Sequence, residues 1–347
     1  MTTIVEAARA VTGGVDTHLD VHVAAALDDI GGLLGVESFE ATAAGEKMLA
    51  GWLTSFGSVA LVGVEGTGSY GAGLARHLAA AGVQVVEVDR PNRQLRRRQG
   101  KTDSLDAVEA ARAALAGRAL GAAKSRDGNV EAIRALVVAK RSARSTKVKT
   151  MNQIRHLGFT APDPLRERLS GVSRADLATV AASLRPRPGS DPVLFATKTS
   201  LRLLGRRILS LDAEKAELDA LLDELVAAAA PELLAVYGVG TDTAALLLVA
   251  AGDNPGRLRN EAAWAHLCGV SPIQASSGKV ARHRLNRSGD RQANHALWRI
   301  AITRMSSDAR TRTYVERRLA EGKSKPEIIR MLKRYIARET YRALPRG

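Results

Sequence analysis

Four carboxylates stand at positions where they could do chemistry together. Asp16 follows the apolar run in GGVDTH, Glu65 follows that in VGVEGTG, and Asp103 and Asp106 lie three apart in KTDSLDA. If the first two runs are strands, each acid sits at a strand end, and residues three apart at the start of a helix share one face. In a sheet whose first and fourth strands are neighbours, with a helix packed across it, all four can meet. Four carboxylates repel one another unless divalent cations neutralise them. Mg2+ takes oxygen ligands, and a pair of ions ~4 Å apart can clamp a phosphodiester for in-line displacement. The expected cofactor is therefore Mg2+, as two ions, with Mn2+ able to substitute. Taken singly, each acid has a plainer reading: Asp103 as a helix N-cap, Asp106 in a first turn where the dipole favours negative charge, Asp16 in a turn.

The glycines beside Glu65 offer a competing chemistry. Gly66, Gly68 and Gly71 spell G-x-G-x-x-G, and Glu87 and Asp89 follow roughly 20 positions on, as in a dinucleotide-binding fingerprint. Against it, these glycines follow the fourth strand-like run rather than the first, and a chain with 31 glycines meets the pattern easily by chance. The simpler role is a sharp turn after Glu65 that leaves room for a nucleic-acid backbone. A P-loop fails as well, because Arg317 stands where the first glycine before Gly322-Lys323-Ser324 should be.

Charge points the same way. Lys and Arg number 51 against 36 Asp and Glu, a net charge of +15, which suits a polyanionic partner and not a metabolic dehydrogenase. Two clusters stand out: Arg93, Arg96, Arg97, Arg98 and Lys101, then Lys140, Arg141, Arg144, Lys147 and Lys149. Each suits backbone contacts and each also reads as a solvated face. Cys268 is the only cysteine, so the chain has no internal disulfide and a Cys-based zinc site is not expected. No leader pattern opens the sequence and no apolar run approaches ~20 residues, so the expected location is the cytoplasm.

These residues need a scaffold. VTGGVDTH, VHVAAALDD and LLGVESFEA read as three strands with tight turns. A helix (TAAGEKMLAGWLTSFG), a buried strand (SVALVGVEG), a helix (YGAGLARHLAAAG), a strand (VQVVEVDRP) and a helix (SLDAVEAARAALAG) follow. The fold class is an α/β domain with a ribonuclease H-like mixed sheet covered by helices. From about Gly128 the pattern becomes helical and basic, and LRPRPGSDP interrupts it as a loop. A leucine-bearing stretch from Leu194 to Ala230 then reads as a long helix or helical hairpin with a packing partner. Two apolar stretches flank Gly238-Val239-Gly240 like a helix-hairpin-helix, or an ordinary helical packing unit. The expected domains are 1–125, a helical connector at 126–228, and a mainly helical domain at 229–347.

GGVDTHLDVHVAAALD, LVGVEGTGSYGAGLARHLAAAG, VVEVDRPNRQLRRRQGKTDSLDA, CGVSPIQASSGK and NRSGDRQAN together resemble the IS110/IS1111 family of transposases. The resemblance covers nearly the whole chain. It implies a RuvC-like N-terminal domain whose DEDD set matches Asp16, Glu65, Asp103 and Asp106. It implies a C-terminal transposase domain with a serine nucleophile in the S-G segment. Ser276 and Ser277 compete for that role, and Ser277, directly before Gly278, is the choice. Lys279, Arg282, Arg284 and Arg287 surround it and could neutralise a phosphate. A serine hydroxyl is a weak nucleophile that a neighbouring base or a carboxylate-held metal can activate. Attack would leave a phosphoserine link that conserves bond energy for rejoining.

The resemblance also implies partners: double-stranded DNA at element ends and target, and a structured noncoding guide (bridge) RNA. Sequence choice would then lie in base pairing while the protein holds backbones. A homodimer or higher homo-oligomer is expected, with the long leucine-bearing helix as its contact and the catalytic segments in different subunits. Two rivals remain: a RuvC-like junction-resolving nuclease using metal-activated water, and a noncatalytic nucleic-acid-binding protein.

Overall fold

The computed structural model describes residues 9–88, 102–118, 121–276 and 283–345. They form two compact units, one from the N-terminal 128 residues with Ala251–Asn260, the other from Asn129–Ala250 with Glu261–Pro345.

The first unit is built on a mixed sheet of β1 (Ala10–Thr17), β2 (Val21–Leu27), β3 (Leu33–Glu40), β4 (Ser58–Glu65), β5 (Gln84–Val88) and β6 (Gly121–Ala122). Its order is β3-β2-β1-β4-β5-β6. β2 runs antiparallel to β1, while β4 runs parallel to it, so the sheet is the expected mixed one and not the all-parallel sheet of a dinucleotide fold. The first and fourth strands are neighbours, as the acid arrangement requires.

Both faces of this sheet are covered. Val11, Val15, Val62 and Val64 point to one face, where they pack with Leu49 and Leu53 of α1 (Ala43–Ser55) and Leu74 and Leu78 of α2 (Ala72–Ala80). Each fully buried leucine is worth about 1.5–3 kcal/mol. The alternate residues face α3 (Asp103–Leu115), whose Ala107 and Val108 pack on Val23 and Ala25 of β2. Glycine on the strands lets this helix come close. A Cβ on Gly14 would lie 2.1 Å from the Ala111 nitrogen and 2.3 Å from the Ala107 oxygen, and one on Gly63 would lie 2.6 Å from the Ala110 oxygen. The segment 251–260 closes the sheet's far edge. Asn254 Nδ2 donates to the Ala123 carbonyl at 2.7 Å and Arg257 Nε to that of Ala122 at 3.0 Å. These bonds engage backbone acceptors beside an otherwise open edge strand.

The second unit is helical. α4 (Asn129–Phe159) packs along α7 (Pro192–Ala229), with α5 (Asp163–Ser170) and α6 (Leu177–Ala182) between them in sequence. Met151, Ile154, Leu165, Leu169, Leu177, Leu184, Leu201 and Ile208 form the core there. The stretch read as a long helix or a hairpin is one helix of 38 residues. Asp191 caps it, accepting from the Leu194 N–H at 2.9 Å, and Pro192 occupies its first turn, where no N–H is missed. Among the described residues it packs on α4 and α6, while Leu203, Leu209 and Leu221 stay exposed.

Beyond it lie α8 (Pro231–Ala235), α9 (Thr241–Ala251), α10 (Glu261–Leu267), a hairpin of β7 (Ile273–Gln274) and β8 (His283–Arg284), then α11 (Arg291–Ser307), α12 (Ala309–Ala320) and α13 (Lys325–Ala343). The Gly238-Val239-Gly240 turn joins α8 to α9, and the Gly240 N–H is taken by Thr243 Oγ1 at 3.1 Å. Among the described residues no helix is long and apolar enough to cross a membrane.

Candidate catalytic carboxylate site

The period of two along a strand sets the first half of the site. Gly14 faces α3, so Asp16, two residues on, belongs to the same face. On β4, Gly63 faces α3, and so Glu65 does. The ladder pairs Val15 with Val64, which sets Asp16 and Glu65 side by side at the ends of two parallel strands. The Thr17 hydroxyl donates to the Glu65 carbonyl at 2.7 Å and ties the two ends together. The chain then turns away through Gly66, whose φ of +78° is the left-handed region that glycine adopts without strain. A Cβ there would sit 2.9 Å from Thr17 Oγ1. The glycine-rich stretch thus serves a turn that wraps Thr17 beside Glu65.

α3 supplies the other half. The helix is capped by Thr102, whose hydroxyl accepts from the Leu105 N–H at 3.4 Å, so the cap is Thr102 and not Asp103. Asp103 and Asp106 fall in the first turns, on the side that lies against β1. Asp16 and Asp106 are buried, at 5% and 4% exposure, and Asp103 is exposed. Burial raises the Asp16 carboxyl above the usual carboxylate range. His18 pulls it back, and Asp106 and Asp103 push it up again. Asp16 therefore feels the charge of both helix acids.

His18 joins them, and no motif in the sequence reading named it. Its Nε2 lies 3.2 Å from Asp16 Oδ2 and 3.5 Å from Asp103 Oδ1. One ligand atom each from Asp16, His18 and Asp103 fall within 4.8 Å of one another. The Nε2 atom is buried, yet makes no hydrogen bond of good geometry. The available signal was spacing: His18 stands two residues after Asp16 in DTH, so an extended chain returns it to the same face. Behind it, buried His22 has its pKa lowered, first by burial and then by His18.

The basic residues divide. Arg96, Arg97, Arg98 and Lys101, with Arg93, lie outside the described residues, as do Ser277, Lys279 and Arg282. Lys140 is held between Asp219 and Asp242, and Lys147 bonds to Asp212. Burial works against the Lys140 charge, but the two aspartates outweigh it and raise its pKa. Arg141, Arg144 and Lys149 are exposed and line a cavity of about 850 Å³ with His295 and Arg299. Arg284 and Arg287 are exposed. Ser276 is exposed and its hydroxyl accepts from Gln274 Nε2 at 3.4 Å. The hairpin pairs Ile273 with Arg284 and Gln274 with His283. Asn286 and Asn294 brace its base, donating to the carbonyls of His266 at 3.1 Å and Cys268 at 2.8 Å.

Comparison with known proteins places this arrangement. Residues 13–157 match a family model of the DEDD IS110 type described as Transposase. Residues 230–316 match one described as Transposase IS116/IS110/IS902 family. The chain is similar to the insertion element IS110 uncharacterized 43.6 kDa protein of Streptomyces coelicolor, 31% identical over 134 residues, which are 38% of this chain and 33% of that protein. It is also similar to the insertion element IS900 uncharacterized 42 kDa protein of Mycobacterium paratuberculosis, 26% identical over 192 residues, 51% of this chain and 48% of that one. The matches thus span about half or less of the length of these curated relatives. The four acids fall within the first model's span and the β7–β8 hairpin within the second's. With the two models matching in order along its N-terminal and C-terminal regions, and insertion-element proteins among its relatives, the chain belongs to the IS110 family of transposases.

Proposed function

We propose that this transposase cuts and rejoins double-stranded DNA with Ser277 as the nucleophile, assisted by divalent ions held by Asp16, Glu65, Asp103 and Asp106. One observation carries the reading. Asp103 and Asp106 of α3 lie beside Asp16 at one end of β1, and Glu65 ends the neighbouring strand. The donor set fits a hard divalent ion: carboxylate oxygens close together, one of them on a buried side chain whose charged form burial disfavours. His18 adds a nitrogen donor, which Mn2+ tolerates better than Mg2+ does. A bound ion would neutralise the acids and polarise a phosphoryl oxygen.

The chain's own groups do the rest. His18 Nε2 stands 3.2 Å from Asp16 and 3.5 Å from Asp103, between the two carboxyl groups. Thr17 and the Gly66 turn hold the two strand ends in register, which keeps the acids oriented. Asp106, buried on α3, adds a further carboxyl oxygen donor. A serine hydroxyl that attacks a phosphodiester displaces a deoxyribose hydroxyl, and the new phosphoserine bond keeps the energy needed for rejoining. The net charge of +15 supports contacts to DNA and to a structured guide RNA. The exposed leucines of α7 suit a second copy of the chain, and the protein acts in the cytoplasm.

The test is a covalent trap. The protein is expressed with its natural flanking DNA so that any RNA partner co-purifies, mixed with labelled end-junction duplexes, and run on denaturing gels. A metal-dependent adduct is expected in wild type and Ser276→Ala, and none in Ser277→Ala or Asp103→Ala. Cleavage with no adduct, untouched by Ser277→Ala, would overturn the serine reading in favour of a RuvC-like nuclease using metal-activated water.

A further inference from the structure

The second unit holds a concentration of positive charge at the foot of the β7–β8 hairpin. Gly269–Pro272 and Arg284–Asn286 form one wall of a cavity of about 590 Å³, and α12 and α13 form the other. Its chemistry comes from Arg284, Leu285, Tyr314, Arg330, Lys333 and Tyr335, and among the described residues no acidic side chain lines it. Arg334 and Arg318, also in the wall, are already paired with Glu261 and Glu321. Arg284 and Arg330 make no ion pair among the described residues, whereas Lys333 Nζ donates to Asn294 Oδ1 at 2.8 Å. Burial, and then the neighbouring Arg330, pull the Lys333 pKa down. Like charges gathered round an open cavity disfavour the folded state, and an anion there would reverse the sign of that effect.

The cavity also has an aromatic floor. Tyr314 and Tyr335 meet edge to face, with centroids 6.0 Å apart and planes at 84°. The guanidinium groups of Arg317 and Arg318 lie 5.5 and 5.1 Å from the Tyr314 centroid and restrain that ring. Tyr335 is 47% exposed and Leu285 55% exposed, so both keep apolar surface free. Cations without acids, beside an open aromatic ring, are what a nucleotide needs: phosphate on the cations, base on the ring. The volume lies within the roughly 300–1,000 Å³ of ligand clefts, room for a nucleotide and not for a duplex.

We infer that this cavity receives an unpaired nucleotide of the DNA strand that Ser277 attacks. Its phosphate sits on Arg330, Lys333 and Arg284, and its base lies against Tyr335. Which nucleotide is held rests on the serine reading, while the binding itself does not. The contact would keep the strand oriented for in-line attack, since a reacting phosphodiester must be positioned as well as bound.

Binding is measured on the full-length protein at about 0.2 M salt, which weakens non-specific phosphate contacts. The probes are a DNA tetranucleotide carrying 2-aminopurine, whose fluorescence is quenched on stacking, and its abasic analogue. Arg330→Gln is expected to weaken both probes about tenfold. Tyr335→Ala is expected to weaken only the base-bearing probe, about tenfold, and to abolish quenching, with Tyr335→Phe restoring both. Arg284→Gln, at an exposed position, repeats the Arg330 result if that variant folds poorly. Arg174→Gln, at an exposed position outside this cavity, is expected to change nothing beyond twofold. Binding within twofold of wild type in the Arg330, Arg284 and Tyr335 variants overturns the proposal, and so does an RNA tetranucleotide bound tenfold tighter than DNA. The adduct assay runs beside it. Lost binding in the variants with no adduct in wild type keeps the cavity and sinks the serine. Unchanged binding with equal adduct in wild type and Arg330→Gln does the reverse.

Discussion

The two units gather like charge in opposite ways. In the first, Asp16 and Asp106 are buried and held by a helix that touches the strand backbone at Gly14. In the second, Arg284 and Arg330 are exposed on a hairpin and a helix, around an open cavity. The acids depend on close packing of backbone, so small errors in that packing move them. The cations depend on long side chains that adapt to a partner. A buried like-charge cluster suits an ion whose ligands must be rigid, and an exposed one suits a flexible polyanion.

The largest effect should come from the buried acid. Asp106→Asn is expected to lower DNA strand cleavage by roughly three orders of magnitude, the scale of losing one preorganised electrostatic contact. It should also relieve repulsion with Asp16 and raise the stability of the metal-free protein by about 1 kcal/mol, read as a few degrees in melting temperature. Loss of activity with loss of stability would make Asp106 a structural residue instead.

Gly14→Val probes the packing that separates the two regions. With the added side chain meeting the α3 backbone, the first unit is expected to lose about 3 kcal/mol. Trp52 lies in the first unit, and Trp264 and Trp298 in the second, so fluorescence of single-tryptophan variants during urea unfolding follows each. A midpoint shift reported by Trp52 and absent from the others is expected. Equal shifts in both would mean that the units unfold as one.

A smaller effect is expected at His18. His18→Asn should weaken Mn2+ binding by about 10- to 100-fold, and Mg2+ binding less, in calorimetric titrations. Equal affinities in variant and wild type would remove His18 from the ligand set.

Much of the acidic site was legible in the sequence because it rests on short periods. Alternation along β1 and β4 puts Asp16 and Glu65 on one face, and Thr102 through Asp106 carry the signals of a helix start. His18 followed the same period and was missed because no motif drew attention to it. The assignment of Asp103 as a possible cap failed because a neighbouring threonine competes for the same N–H groups. Other features have no local signature. Asn254 and Arg257 close the edge of the first unit's sheet through bonds to carbonyls more than 130 residues away. Lys140 looks like its basic neighbours in sequence, but its partners Asp219 and Asp242 come from helices far along the chain. The choice between a long helix and a hairpin from Leu194 onward turned on the absence of a breaker, and α7 runs unbroken.

The most direct measurement is the chemical identity of the protein–DNA link. The adduct is digested with nuclease and protease, and the peptide containing Ser276 and Ser277 is sequenced by mass spectrometry. A nucleotide phosphate on Ser277, formed only with divalent metal, is the expected result. An unmodified peptide beside cleaved DNA with free 5′-phosphate and 3′-hydroxyl ends would contradict the serine mechanism.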